Sequence, residues 1–211
     1  MTDLAFPERF RAFLIFGAPG CGKGTQGAII SQVPRFHYFS CGDAFRSLDT
    51  RSPIGKRFIE YSSQGELVPD ELTVEFWQQQ IQAQISAGLF KPDIDFLWLD
   101  GIPRNVHQAE LLRPFINVLR IFHLSCPDRD ELARRIRKRA LKQNRLDDAN
   151  EALIRHRFET YEAESKPILE SYPEELIACI DASQPPVKVL SDILGEIMSH
   201  QEWQELSKQV V

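Results

Sequence analysis

Long apolar runs, an excess of positive charge and paired cysteines are all missing from this chain. No stretch approaches the roughly 20 consecutive apolar residues that cross a bilayer, so no membrane role is expected. Lysine and arginine total 25 against 30 acidic residues, a net charge of -5. That balance argues against a nucleic-acid binder held by phosphate contacts. Cys21, Cys41, Cys126 and Cys179 are scattered, with no CxxC pair. They read as reduced thiols of a cytoplasmic protein, with neither a disulfide framework nor a structural zinc site. The opening MTDLAFPERFR has no basic region followed by an apolar core, so no secretory signal is expected. His37, His107, His123 and His156 show no metal-ligand spacing, and there is no repeat or low-complexity tract. With 43% hydrophobic and 26% charged residues, the 211-residue chain can build one main core.

What is present begins at residues 17–25, GAPGCGKGT, directly after the apolar run Ala12-Phe13-Leu14-Ile15-Phe16. The spacing from Gly17 to Gly22-Lys23 is G-x-x-x-x-G-K, that of a phosphate-binding P-loop. Glycines let backbone N–H groups turn inward around phosphate oxygens, and Lys23 adds a charge for the β- and γ-phosphates. A helix beginning near Gly24-Thr25 would point its positive end at the same anion. A glycine-rich turn of no function is the plainer alternative. The strand before it and the helix after it favour phosphate. Cys21 reads as an inert loop filler, although a thiol near a helix N-terminus can be activated.

Further apolar runs lie at 95–100 (DFLWLD), 119–125 (LRIFHLS) and 176–182 (LIACIDA), with a shorter one at 35–38 (RFHY). Runs without strict alternation suit strands buried on both faces. Their alternation with helical segments predicts an α/β fold, a doubly wound parallel sheet of about five strands with ligands beyond the carboxyl strand ends. Helices are expected at 54–63, at 70–87 after Pro69 and before Gly88, at 128–143, at 149–171, and from about Val187 to the end.

Three more segments narrow the chemistry: HYFSCGDAFR (37–46), GELVPDEL (65–72) and DGIPRNVHQAE (100–110). With the P-loop, and followed by Arg135-Ile136-Arg139, Arg145 with Asp147-Asp148, RFETY (157–161) and Pro167, they resemble adenylate kinase and its relatives among the nucleoside monophosphate kinases. The likeness runs from residue 12 to about 182. Physics gives its own reason for these residue types. Phosphoryl transfer between two nucleotides joins two polyanions and spreads charge over equatorial oxygens, so it needs fixed cations and little covalent chemistry. Arginine stays charged and grips two oxygens at once.

The resemblance implies site residues position by position. ATP would lie on Gly20, Cys21, Gly22, Lys23, Gly24 and Thr25, with Arg135 and Arg139 near its adenine. AMP would meet Cys41, Arg46, Glu66, Leu67, Val68, Gly101, Ile102, Pro103, Arg104 and Gln108, whose amide can read a base edge. Arg145 and Arg157 would close over the moving phosphoryl group; Lys23, Arg104, Arg139, Arg145 and Arg157 form the implied catalytic set. Asp100, at a strand end, would hold Mg²⁺ through water, or else act only as a helix cap. Residues 41–70 would be the monophosphate-binding insertion and 138–149 a lid in its short form. The core would be 1–40, 71–137 and 150–211.

The chain departs from the family pattern in places. Cys41 stands where a threonine is usual, Ile102 where an aromatic is usual, and Asn144 where a glycine is usual. One extra residue between Asp148 and Arg157 leaves Arg155 or His156 as competitors for the role of Arg157, since a helix turns about 100° per residue. The expected activity is Mg·ATP + AMP ⇌ 2 ADP in a cytoplasmic monomer. A UMP/CMP-type kinase and a nucleotide-sensing module without turnover remain the alternatives.

Overall fold

A computed structural model describes residues 9–64, 66–143 and 150–208. The run FRAFLIFG forms β1 (Phe10–Gly17), buried everywhere except at Arg11. Side chains alternate across a strand, so Ala12, Leu14 and Phe16 enter one apolar cluster, Phe13 and Ile15 another. Both faces of the strand are thereby covered, which is why its sequence reads as continuous apolar residues. The same holds for β3 (Phe96–Asp100), in which every residue is buried. With β2 (Phe36–Ser40), β4 (Ile116–Ser125) and β5 (Ile177–Asp181), they form a parallel sheet in the order β2-β3-β1-β4-β5. All five strands follow the runs read from the sequence.

The register fixes where the site lies. Asp100 pairs with Ile15 on one side and Ser40 on the other, and Gly17 pairs with Leu124. The carboxyl ends of β1, β2 and β3 therefore stop at one level. The chain leaves them into α1 (Lys23–Ile30), α2 (Cys41–Arg46) and the 101–105 loop before α5 (Val106–Leu112).

One face of the sheet packs on α4 (Asp70–Ser86) through Val74, Trp77 and Ile81, and on Leu112 of α5. The other packs on Ile30 of α1, on Leu132 of α6 (Arg129–Gln143), and on Val189, Ile193 and Ile197 of α8 (Pro186–Ser199). Asp70 and Glu71 sit in the first turn of α4, where carboxylates favour the helix dipole. Gly88, just past its end, takes a left-handed φ of 70°. Between α2 and α4 lies α3 (Pro53–Gln64).

Two expected helices are interrupted. Where one helix was expected, the described residues hold α7 (Glu151–Thr160), then a π-helical turn Tyr161–Ser165, then a 3-10 turn Lys166–Ser171. Pro167 has no N–H for an α-helical bond. The last helix stops at His200, whose backbone is extended, and resumes as α9 (Gln201–Ser207). The break lets Trp203 stack on Phe36, centroids 5.3 Å apart.

Candidate active site

The P-loop is shaped by what cannot be placed in it. At Gly17, φ is 147° and a Cβ would stand 2.5 Å from the Leu124 carbonyl oxygen. Only glycine lets β1 turn that close to β4. Gly22 caps α1 from a left-handed φ of 104° and offers no side-chain oxygen. The first-turn N–H groups of α1 lack intrahelical acceptors and suit an anion. Lys23 Nζ donates to the carbonyls of Gly17 (2.6 Å) and Ala18 (3.3 Å), which holds its ammonium over the loop. Burial pushes the Cys21 thiol pKa up, with Lys23 pulling the other way. The loop thiol is thus protonated at neutral pH, in keeping with a filler.

Asp100 ends β3 and is 8% exposed. Its Oδ2 accepts a hydrogen bond from the Tyr38 hydroxyl at 3.1 Å. Burial raises its pKa, while Lys23 and the Tyr38 bond favour the carboxylate. Gly24 stands beside it, for a Cβ there would be 3.9 Å from Asp100 Oδ2.

A cavity of about 840 Å³ opens above these strand ends. Gly20 to Thr25 line it, with Arg135, Lys138, Arg139 and Lys142 of α6. Arg135 is held by the Ala182 carbonyl (2.9 Å) and Glu131 (2.9 Å). The same lining includes Arg46, Leu67, Gly101, Pro103, Arg104 and Arg157. Arg104 Nε donates to the Gly101 carbonyl at 3.0 Å, and Ser165 Oγ donates to the Arg104 carbonyl at 2.7 Å. Burial lowers the Arg104 pKa, and the positive charges of Arg157 and Arg46 act in the same direction. Arg46 is also paired with Asp43 at 2.6 Å, and negative charge brought to this side of the cavity would favour the charged Arg104 guanidinium.

A smaller chamber of about 60 Å³ adjoins, lined in part by Cys41, Glu66, Val68 and Gln108, with Phe45 and Phe58. Burial pushes the Cys41 thiol up to about 11, so it serves as a neutral wall. The Ile102 side chain is 1% exposed and packs in the apolar core. The side chain of Arg157, not that of Arg155, faces the cavity; Arg155 projects outward, 3.9 Å from Glu151. Arg145, Asp147 and Asp148 lie outside the described residues. Among the described residues, no three His, Cys, Asp or Glu side chains could hold a metal by themselves.

Comparison with known proteins bears on this geometry. The family model described as adenylate kinase matches residues 15–177. The adenylate kinase of Bifidobacterium longum is 35% identical over 196 residues, 90% of this chain and 98% of that protein. That of Thermobifida fusca is 36% identical over 194 residues, 88% and 97% of the two chains. That of a Cyanothece species is 34% identical over 188 residues, 85% and 91%. This chain belongs to the adenylate kinase family.

Within an adenylate kinase fold, several residues in or behind the cavity wall had no local sequence signal. Tyr38 reaches Asp100 only because β2 lies beside β3. Gln26, 2% exposed, lines the cavity and donates to the Pro186 carbonyl at 3.0 Å, from a residue 160 positions away. Thr160 at the end of α7 and Tyr161 and Ser165 of the π-helical turn also line the cavity. The wider pitch of that turn points Ser165 away from the direction that the regular helix read from the sequence would give it. Lys138 and Lys142 had a signal, the i, i+4 spacing along a basic helix that also carries Arg135 and Arg139.

Proposed function

We propose that this chain catalyses the reversible transfer of the γ-phosphoryl group of ATP to AMP, giving two ADP. One observation carries the reading: a single cavity is lined both by the P-loop with its lysine and by Arg46, Arg104 and Arg157. Family membership agrees with it.

In this reading the triphosphate lies on the loop from Gly20 to Thr25, with Lys23 following its terminal phosphates. Arg135 and Arg139 flank the adenine of ATP. The acceptor phosphate is gripped by Arg46 and Arg104, and its base enters the chamber beside Cys41, Glu66, Leu67, Val68 and Gln108. A phosphate oxygen of AMP attacks the γ-phosphorus in line as ADP leaves. That oxygen is already an anion, so no general base is needed. Arg157 and Arg145 neutralise charge on the moving group. Residues 41–70 and 138–149 close over the substrates and keep water from the γ-phosphate.

The donor set near the P-loop fits Mg²⁺. This ion uses one or two carboxylates and completes its octahedron with water and substrate phosphates. Asp100 offers the carboxylate, and the Thr25 hydroxyl lines the same cavity. Bound there, Mg²⁺ would offset phosphate charge. Among the described residues no helix is long and apolar enough to cross a membrane. Four cysteines outside any disulfide support a cytoplasmic setting, and the likeness to the short-lid form carries the expectation of a monomer.

The test is ADP production from ATP and AMP by the purified chain with Mg²⁺, against a panel of other monophosphates. Asp100→Asn is expected to lower kcat at least about 100-fold, as loss of a group that stabilises transition-state charge does. No turnover by the folded parent chain with any monophosphate would end the proposal.

A further inference from the structure

The acceptor chamber contains a polar arrangement that the roles above leave unused. Gln108 is 1% exposed, yet its amide is bonded at both ends. Nε2 donates to Asp70 Oδ1 at 2.7 Å, and Oε1 accepts from the Arg104 backbone N–H at 2.8 Å. Asp70 is itself held, for Asn105 Nδ2 donates to Oδ1 (2.9 Å) and Oδ2 (3.0 Å). Asn105 in turn caps α5, its Oδ1 accepting from the Gln108 backbone N–H at 2.8 Å. Three residues from two distant stretches thus lock the side-chain amide of Gln108.

We propose that Asp70 is a positioning residue that fixes which way round Gln108 presents its amide, and thereby makes the acceptor site prefer a 6-amino purine to a 6-oxo purine. The inference rests on the reading that Gln108 faces the acceptor base. An amide has two N–H donors and two oxygen lone pairs. Asp70 takes one donor and Arg104 fills one lone pair. One N–H and one lone pair are left for a ligand edge. That pair complements adenine, whose ring nitrogen accepts and whose exocyclic amine donates. Hypoxanthine presents the reverse, an accepting 6-oxygen and a donating ring N–H. To pair with it the amide would have to flip. A flip would set Oε1 against the Asp70 carboxylate, which only accepts, and Nε2 against the Arg104 N–H, which only donates. The Arg104 contact is backbone and stays in every variant, whereas the Asp70 contact is charge-assisted and removable.

The experiment measures kcat/KM for AMP and for inosine monophosphate, each with saturating Mg·ATP, and takes their ratio. The ratio does not depend on the fraction of protein folded, so mere loss of stability leaves it unmoved. Asp70→Asn can donate or accept toward Gln108, and it is expected to lower the ratio at least about tenfold, the worth of one hydrogen bond to a charged group. KM for ATP should stay at the parent value. Asp70→Ser, which keeps a short oxygen at the start of α4, should lower the ratio too and serves if the first variant does not fold. Gln108→Met provides the control. If Gln108→Met collapses the ratio while both Asp70 variants keep it, the role of Asp70 is wrong and the base-reading role stands. If Gln108→Met also leaves the ratio unchanged, Gln108 does not read the base and both fall together.

Discussion

Gly27→Ala is a substitution for which helix propensity and tertiary packing give opposite signs. Gly27 lies inside α1, where alanine ordinarily gains about 1 kcal/mol over glycine. Here a Cβ would stand 2.3, 2.6 and 3.0 Å from Cε2, Cζ and Cδ2 of Tyr38. Carbon atoms rest about 3.5–4.0 Å apart, so the ring must move by roughly 1 Å or more. Such overpacking costs about 1–3 kcal/mol. The displaced ring also carries away the hydroxyl that Asp100 accepts at 3.1 Å. A hydrogen bond to a charged group contributes about 1.5–3 kcal/mol. Less the propensity gain, the net loss is about 1.5–5 kcal/mol. For a chain of this size Tm should fall by roughly 3–20 °C. Thermal denaturation of the parent and Gly27→Ala measures it directly. In a Tyr38→Ala background no ring stands in the way, and Gly27→Ala should then stabilise. That reversal of sign in a double-mutant cycle isolates the contact. A rise in Tm on Gly27→Ala in the parent would refute the reasoning.

Two further outcomes are expected. Arg104→Lys keeps the charge but loses the planar fork and the Nε bond to the Gly101 carbonyl. Its kcat/KM for AMP should drop by about 100-fold with the melting curve little changed, since a bidentate anion contact is lost. His123 is partly buried against the Tyr161 hydroxyl at 3.1 Å, and burial lowers its pKa from 6.5. The unfolded chain therefore takes up this proton at higher pH than the folded one. Stability from this group is complete above about pH 6.5 and declines as pH falls toward the folded pKa. Urea midpoints of the parent and His123→Gln between pH 5 and 8 should show the flatter profile for the variant.

Much of the site was legible because its signals are local. The P-loop needs particular glycines within nine residues, and their positive φ values at Gly17, Gly20 and Gly22 follow from that spacing. The strands were legible because burial on both faces leaves continuous apolar runs. The Tyr161–Ser165 turn was not, because a π-helical turn carries no distinct composition. It depends on what the chain packs against. Gln108 shows the same limit from another side. The sequence offers an amide able to donate or accept, and only the neighbours decide which end faces which partner.

The amino-acid order alone determined the parallel sheet, the phosphate loop at the end of β1 and the family pattern of arginines, because each arises from contacts within a short span or from a repeating burial pattern. Tertiary structure decided the rest. It brought Tyr38 to Asp100, Gln26 to Pro186, Ser165 to Arg104 and Asp70 to Gln108. These pairs join residues 38 to 160 positions apart. Their partners are set by strand order and helix packing, which no neighbouring residue encodes.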